Sequence, residues 1–166
     1  FRNMEGNTLN VDVAAAATTL NVALDNVDDA SSLVVTAPAT SKLAAATISG
    51  AVVDSGTDGV DAINVTVEAG LNVKTFTFTT EVDVNLTLNE NTASTVVFES
   101  LDGSASTGSI NVPRDSDLLT TKTGAGDDTV TLGADLVADA SVTTNAGDDT
   151  VDLAGNDVNK GATVSL

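Results

Sequence analysis

Apolar residues in this chain recur at every second position over short runs. Leu9, Val11 and Val13 alternate with small polar residues, and so do Leu20, Val22 and Leu24. Further runs are Leu33/Val35, Ile63/Val65/Val67, Phe76/Phe78, Val82/Val84/Leu86/Leu88, Val96/Phe98 and Ile110/Val112. Val130/Leu132, Val151/Leu153 and Val164/Leu166 close the series. A period of two marks strands with one face buried. Abundant Thr and Val fit a pleated, half-buried surface. Gly, Asp, Asn and Ser fill the gaps, and these residues favour turns.

Every second strand falls into one of two series. Strands starting near 83, 109, 129 and 150 form one; those near 74, 95, 119, 141 and 163 form the other. Within a series the spacing is roughly 20 to 29 residues, a period at which repeat architectures are built. Two short strands per coil, repeated at this period, predict an all-β parallel solenoid, a β-roll or β-helix. Coils are loosely spaced over 1–118 and tight over 119–166, within one continuous array. A β-sandwich, which also places a strand every 8–12 residues, is the alternative for residues 1–100. Ala14–Ala17, Ala37-Pro38-Ala39 and Ala44–Ala46 read as loops or tight corners, with a short helix at 41–46 as the alternative. The few aromatics suit a narrow interior, and Phe76, Phe78 and Phe98 mark a wider coil or a boundary.

One turn is written twice. Thr123-Gly124-Ala125-Gly126-Asp127-Asp128-Thr129-Val130 is matched one coil later by Thr144-Asn145-Ala146-Gly147-Asp148-Asp149-Thr150-Val151. Stacked coils bring Asp128 and Asp149 to one corner, about 4.8 Å apart. Bare carboxylates that close repel, by about 1 kcal/mol in water and by more where water is thinned. A cation relieves this, and carboxylate and carbonyl oxygens are the ligands Ca2+ prefers. Asp127 and Asp148 flank the pair, and the carbonyls of Thr123, Ala125, Thr144 and Ala146 are candidates to complete the shell.

The two copies resemble the calcium-binding nonapeptide G-G-x-G-x-D-x-U-x of RTX proteins. Gly124, Gly126, Asp128 and Val130 match in the first copy; Gly147, Asp149 and Val151 match in the second. Thr123, Thr144 and Asn145 replace glycine. The copies come once per coil where the family runs them in tandem, which implies a single short calcium row. The opening Phe1-Arg2-Asn3-Met4-Glu5-Gly6-Asn7-Thr8-Leu9-Asn10-Val11 is similar to a rung of RTX surface-layer proteins. Together these resemblances imply a segment of a secreted bacterial surface layer. They imply Ca2+ as the bound ion and self-association into a lattice through Ca2+, with cell-surface polysaccharide bound through another region. The alternatives are a repeat module of a large RTX adhesin and the non-catalytic calcium module of a secreted RTX enzyme.

Composition narrows the chemistry. The formal charge is −18, from 24 acidic and 6 basic residues. Nucleic acid and anionic membrane surfaces need a basic face. No run spans a bilayer, and no signal peptide is visible. A start at Phe1 and an alternating run up to Leu166 read as cuts through a repeating structure. Without Cys there is no disulfide framework. Without His or Cys the commonest nucleophile pairs are absent, and the lack of Trp and Tyr removes sugar platforms, so no catalytic role is expected. Structural calcium implies an extracellular setting, where millimolar Ca2+ fills weak sites.

Other acidic positions read as solvated turns: Asp25, Asp28 and Asp29; Asp54, Asp58 and Asp61; Asp115 and Asp117. Asp135 and Asp139 are placed on the opposite corner, facing Asn156, Asp157 and Lys160. The sequons at Asn64 and Asn85 lie inside expected strands. Thr75, Thr77, Thr79 and Thr80 are read as ordinary strand residues, because no Thr column recurs from coil to coil in the sequence.

Overall fold

The computed structural model describes residues 1–4, 6–28, 31–38, 40–53, 62–67, 74–81, 83–88, 99–114 and 119–166. In chain order the strands are β1 (Arg2–Met4), β2 (Thr8–Asp12), β3 (Thr19–Asp28), β4 (Ser32–Thr36) and β5 (Ala45–Val53). They continue with β6 (Ala62–Val67), β7 (Thr75–Thr80), β8 (Asp83–Leu88), β9 (Ser100–Asp102) and β10 (Ile110–Arg114). The last five are β11 (Thr120–Lys122), β12 (Thr129–Leu132), β13 (Ser141–Thr143), β14 (Thr150–Asp152) and β15 (Thr163–Ser165). Odd-numbered strands form one sheet, in the order β1-β3-β5-β7-β9-β11-β13-β15. Even-numbered strands form the other, β14-β12-β10-β8-β6-β4-β2. Every pairing among them is parallel, so the chain winds as a β-solenoid that lays one strand on each sheet per coil.

Parallel ladders run through β1 to β8 as well as through the C-terminal coils, which excludes the β-sandwich alternative for residues 1–100. A sandwich is built from antiparallel pairs, and none of these strands turns back on its neighbour. Coil length varies more widely than the strand spacing in the sequence implies. Ser32 pairs with Asn64, a rise of 32, whereas Asn111 pairs with Thr129, a rise of 18. No helix forms at 41–46: Ala45 and Ala46 open β5 instead, where their partners Thr19 and Leu20 hold them in a ladder. Asp25 and Asp28 lie in β3 and not in a turn; Asn26, at φ 55°, sits where the register shifts and lets the strand continue. Asp29, Asp54, Asp58, Asp61, Val96, Phe98, Asp115 and Asp117 fall outside the described residues.

The period-two pattern translates into columns. Leu9, Leu33, Val65 and Leu86 stack inward on the even sheet. Ala46, Phe76 and Leu101 do the same on the odd sheet. Phe76 and Phe78 are both fully buried, with ring centroids 6.4 Å apart and near-parallel rings. Outward columns are polar. Thr75, Ser100, Thr120, Ser141 and Thr163 lie in continuous register, so hydroxyls do recur from coil to coil. The sequence hides this because threonine and serine alternate along the column, so no threonine column recurs.

Thr121 is an inward strand position that breaks the pattern. Thr121 pairs with Leu101 on one side and Val142 on the other, is fully buried, and its hydroxyl has no hydrogen-bond partner. An unpaired buried hydroxyl costs on the order of 1–3 kcal/mol. Thr121→Val keeps the shape and removes the hydroxyl. It is expected to stabilise the fold by about 1 kcal/mol, read as a higher urea midpoint at unchanged slope. A lowered midpoint would mean that the hydroxyl is satisfied in solution.

Candidate metal corner

The two turns stack as the sequence places them. Asp128 stands immediately before Thr129, which pairs with Thr150, and the Asp128 amide donates to Asp149 Oδ1 at 3.0 Å, one coil away. The Ala146 amide donates to the Gly124 carbonyl at 3.3 Å. Below them lies a third turn that sequence reading missed. The Ala125 amide donates to the Ser106 carbonyl at 3.0 Å, and Ser106 Oγ in turn accepts from the Thr80 amide at 3.1 Å. Gly103 and Gly108 are its only sequence signal, since it has no aspartate pair.

Glycine is required here by proximity. A Cβ on Gly124 would lie 2.1 Å from the Ser106 carbonyl oxygen. One on Gly147, whose φ is +139°, would lie 2.2 Å from the Gly126 carbonyl oxygen. Gly126 is as tightly placed, over the Gly108–Ser109 peptide.

Asp128 is not a surface acid. Ile63, Val84 and Ile110 occupy successive places in one inward column, and Asp128 continues it directly over Ile110. It is 1 % exposed. Its Oδ1 accepts from the Ile110 amide at 2.7 Å, while Oδ2 has no hydrogen-bond partner. Burial pushes this carboxyl above the ordinary carboxylate range. The Thr123 hydroxyl and the Ile110 amide act against the rise; the Asp149 charge adds to it, and the Gly124 amide again opposes it. Thr123 and Thr144 are also fully buried, in line with one another, with the Thr123 hydroxyl donating to the Thr144 carbonyl at 3.3 Å. Thr144 Oγ1 has no partner. In these two coils the interior at this corner is therefore polar, where the coil before them places Gly103 against Ile110.

The four expected carboxylates do not converge. Asp127 Oδ1 accepts from the Asp148 amide at 2.9 Å, so Asp127 and Asp148 form a second, exposed stacked pair beside the inner Asp128/Asp149 pair. Among the described residues no group of three or more acidic side chains is arranged to hold an ion. The remaining candidates are backbone positions. Thr123 O accepts from the Asn145 side-chain amide, Gly124 O is taken by Ala146, and Thr144 O by the Thr123 hydroxyl. The opposite corner holds a similar pair, in which Asp135 Oδ1 accepts from the Asp157 amide at 2.9 Å.

A hard cation fits the inner pair on one observation: Asp128 carries a buried carboxylate oxygen that accepts no hydrogen bond. Asp102 and Asp152 provide the contrast. Each accepts from the backbone two residues on, at 3.1 Å from Ser104 N and 2.9 Å from Ala154 N, which closes a local turn. Comparison with protein-family models, curated proteins and solved structures found no match to this chain.

Proposed function

We propose that this chain is a calcium-stabilised structural segment of a secreted bacterial surface layer, of the RTX kind. Calcium joins adjacent coils at the Asp128/Asp149 corner and stiffens the solenoid, which associates with further copies into an extracellular lattice. The observation that carries this reading is the buried, unpartnered Asp128 oxygen inside a stack of glycine–aspartate turns. An acidic chain of charge −18 that buries one of its carboxylates gains most from a divalent cation at that point. The residues around it supply oxygen and no sulfur or imidazole nitrogen, a donor set suited to Ca2+. Stability then depends on the medium, because an ion that binds only the folded chain stabilises it by mass action.

Calorimetric titration with CaCl2, alongside circular dichroism in EDTA and in calcium, tests this. Binding in the 10⁻⁴–10⁻³ M range typical of extracellular sites is expected. At a hundredfold excess over Kd the gain is about 2.7 kcal/mol. For a chain of this size that raises Tm by about 5–10 °C. Absence of binding heat together with the same melting curve in EDTA would remove calcium from the account.

A further inference from the structure

The second turn departs from the first at one informative place. Where the first copy has Gly124, the second has Asn145. Asn145 adopts φ 69°, in the left-handed region that Asn tolerates better than most side chains. Asn145 is exposed, yet its side-chain amide is engaged within the stack. Nδ2 donates to the carbonyl of Thr123, in the turn beneath. That carbonyl is one of the oxygens the sequence offers to an ion, and it lies next to Gly124, whose own carbonyl accepts from Ala146.

We infer that Asn145 is a built-in stand-in for a cation, which ties the two turns together when no ion is bound and thereby sets how tightly the corner takes calcium. This rests on the calcium reading above. An amide N–H presents partial positive charge to a carbonyl oxygen, as a cation does, but holds it with the strength of an ordinary hydrogen bond. While Nδ2 occupies that side of Thr123 O, a calcium ion reaching for the same oxygen must displace it. The residue therefore does two opposed things. It strengthens contact between the coils in the ion-free chain, and it weakens binding at the corner. Asn145 is a positioning residue, and Asp128 supplies the charge.

Two substitutions separate these effects. Asn145→Gly keeps the left-handed backbone and deletes the amide. In EDTA it is expected to melt below the natural chain. In calorimetric titration with CaCl2 it is expected to bind about fivefold more tightly, the equivalent of one net hydrogen bond. Asn145→Asp also tolerates the backbone but sets a carboxylate against Thr123 O. In EDTA it is expected to be the least stable of the three, and in CaCl2 the most strongly rescued. If the natural chain binds calcium and both variants bind equally or more weakly, the inference about Asn145 is overturned while the calcium reading stands. If the natural chain is silent and Asn145→Gly binds, the latch is upheld as what blocks the corner; if only Asn145→Asp binds, the added carboxylate has made the site and both readings are overturned. If none of the three binds, both are overturned.

Discussion

Alanine at Gly147 is expected to lower stability by about 3 kcal/mol or more, seen as a large fall in both the urea midpoint and Tm. Two effects add. At φ +139° an L side chain is strained, and the new methyl would meet the Gly126 carbonyl oxygen at 2.2 Å. That oxygen belongs to backbone held by the turn beneath, so it has little room to withdraw. Overpacking of this kind costs about 1–3 kcal/mol, and left-handed strain about 1–2 kcal/mol. Gly155→Ala isolates the second contribution. Gly155 has φ +85°, and its added methyl meets nothing within 4 Å. It should cost only the strain. Equal losses in the two variants would show that the turns do not stack this closely in solution.

These contacts explain which parts of the fold the sequence discloses. Where a coil is short, as from Thr129 to Thr150, identical turns recur and the register can be read directly. Where it is long, as from Ser32 to Asn64, the period-two pattern still marks the strands but no turn repeats to fix their partners. Hence both strand series are legible in the C-terminal coils, while the N-terminal half leaves a sandwich open. The hydroxyl column from Thr75 to Thr163 is missed for another reason: Thr and Ser alternate along it, so no single residue type repeats.

At the corner, the stacking of Asp128 on Asp149 follows from their spacing, but their surroundings do not. Consecutive residues point to opposite sides of a strand, so the DD pair divides into an inner and an outer column. Nothing in the dipeptide says which is which. Position fixes it: Asp128 lies two before Val130, which is wholly buried, and therefore shares its inward side. The same parity puts Thr121 and Thr123 inside, although threonine in a strand is usually read as a surface residue. Asp25 and Asp28 are misplaced by sequence reading because an acidic run resembles a loop. Their strand is held by partners far away in sequence, including the Arg2–Asp25 ion pair, exposed at 73 % and 55 %, and the parallel pairing of β1 with β3.

Asp128→Ala and Asp128→Asn are expected to part company, and their difference measures what the buried carboxylate does. Alanine removes the acceptor of the Ile110 amide and leaves that donor unpaired in the interior. It should cost about 1–3 kcal/mol in EDTA, and more in calcium, where the ion's charged ligand is lost as well. Asparagine keeps an oxygen for Ile110 and has no charge to bury. In EDTA at neutral pH it should be more stable than the natural chain; in calcium it should fall below it, because the ion has lost its charged ligand. Acidity gives an independent reading. The folded chain holds the Asp128 carboxyl above its ordinary value of 3.8, so folding favours the neutral form. In EDTA, the contribution of Asp128 should grow as pH falls through its folded pKa and be complete below 3.8; it is lost as pH rises again. Asp102 works in the other direction. Hydrogen bonds from Ser104 hold its carboxyl below 3.8, so its contribution is present above that value and disappears as pH falls through its folded pKa. The ion-free natural chain should thus gain from mild acidification and lose again in strong acid. Asp128→Asn should lack the gain and keep the loss. If the two proteins instead respond alike to mild acid, the carboxylate of Asp128 is not buried as charge, and the need for a cation beside it disappears.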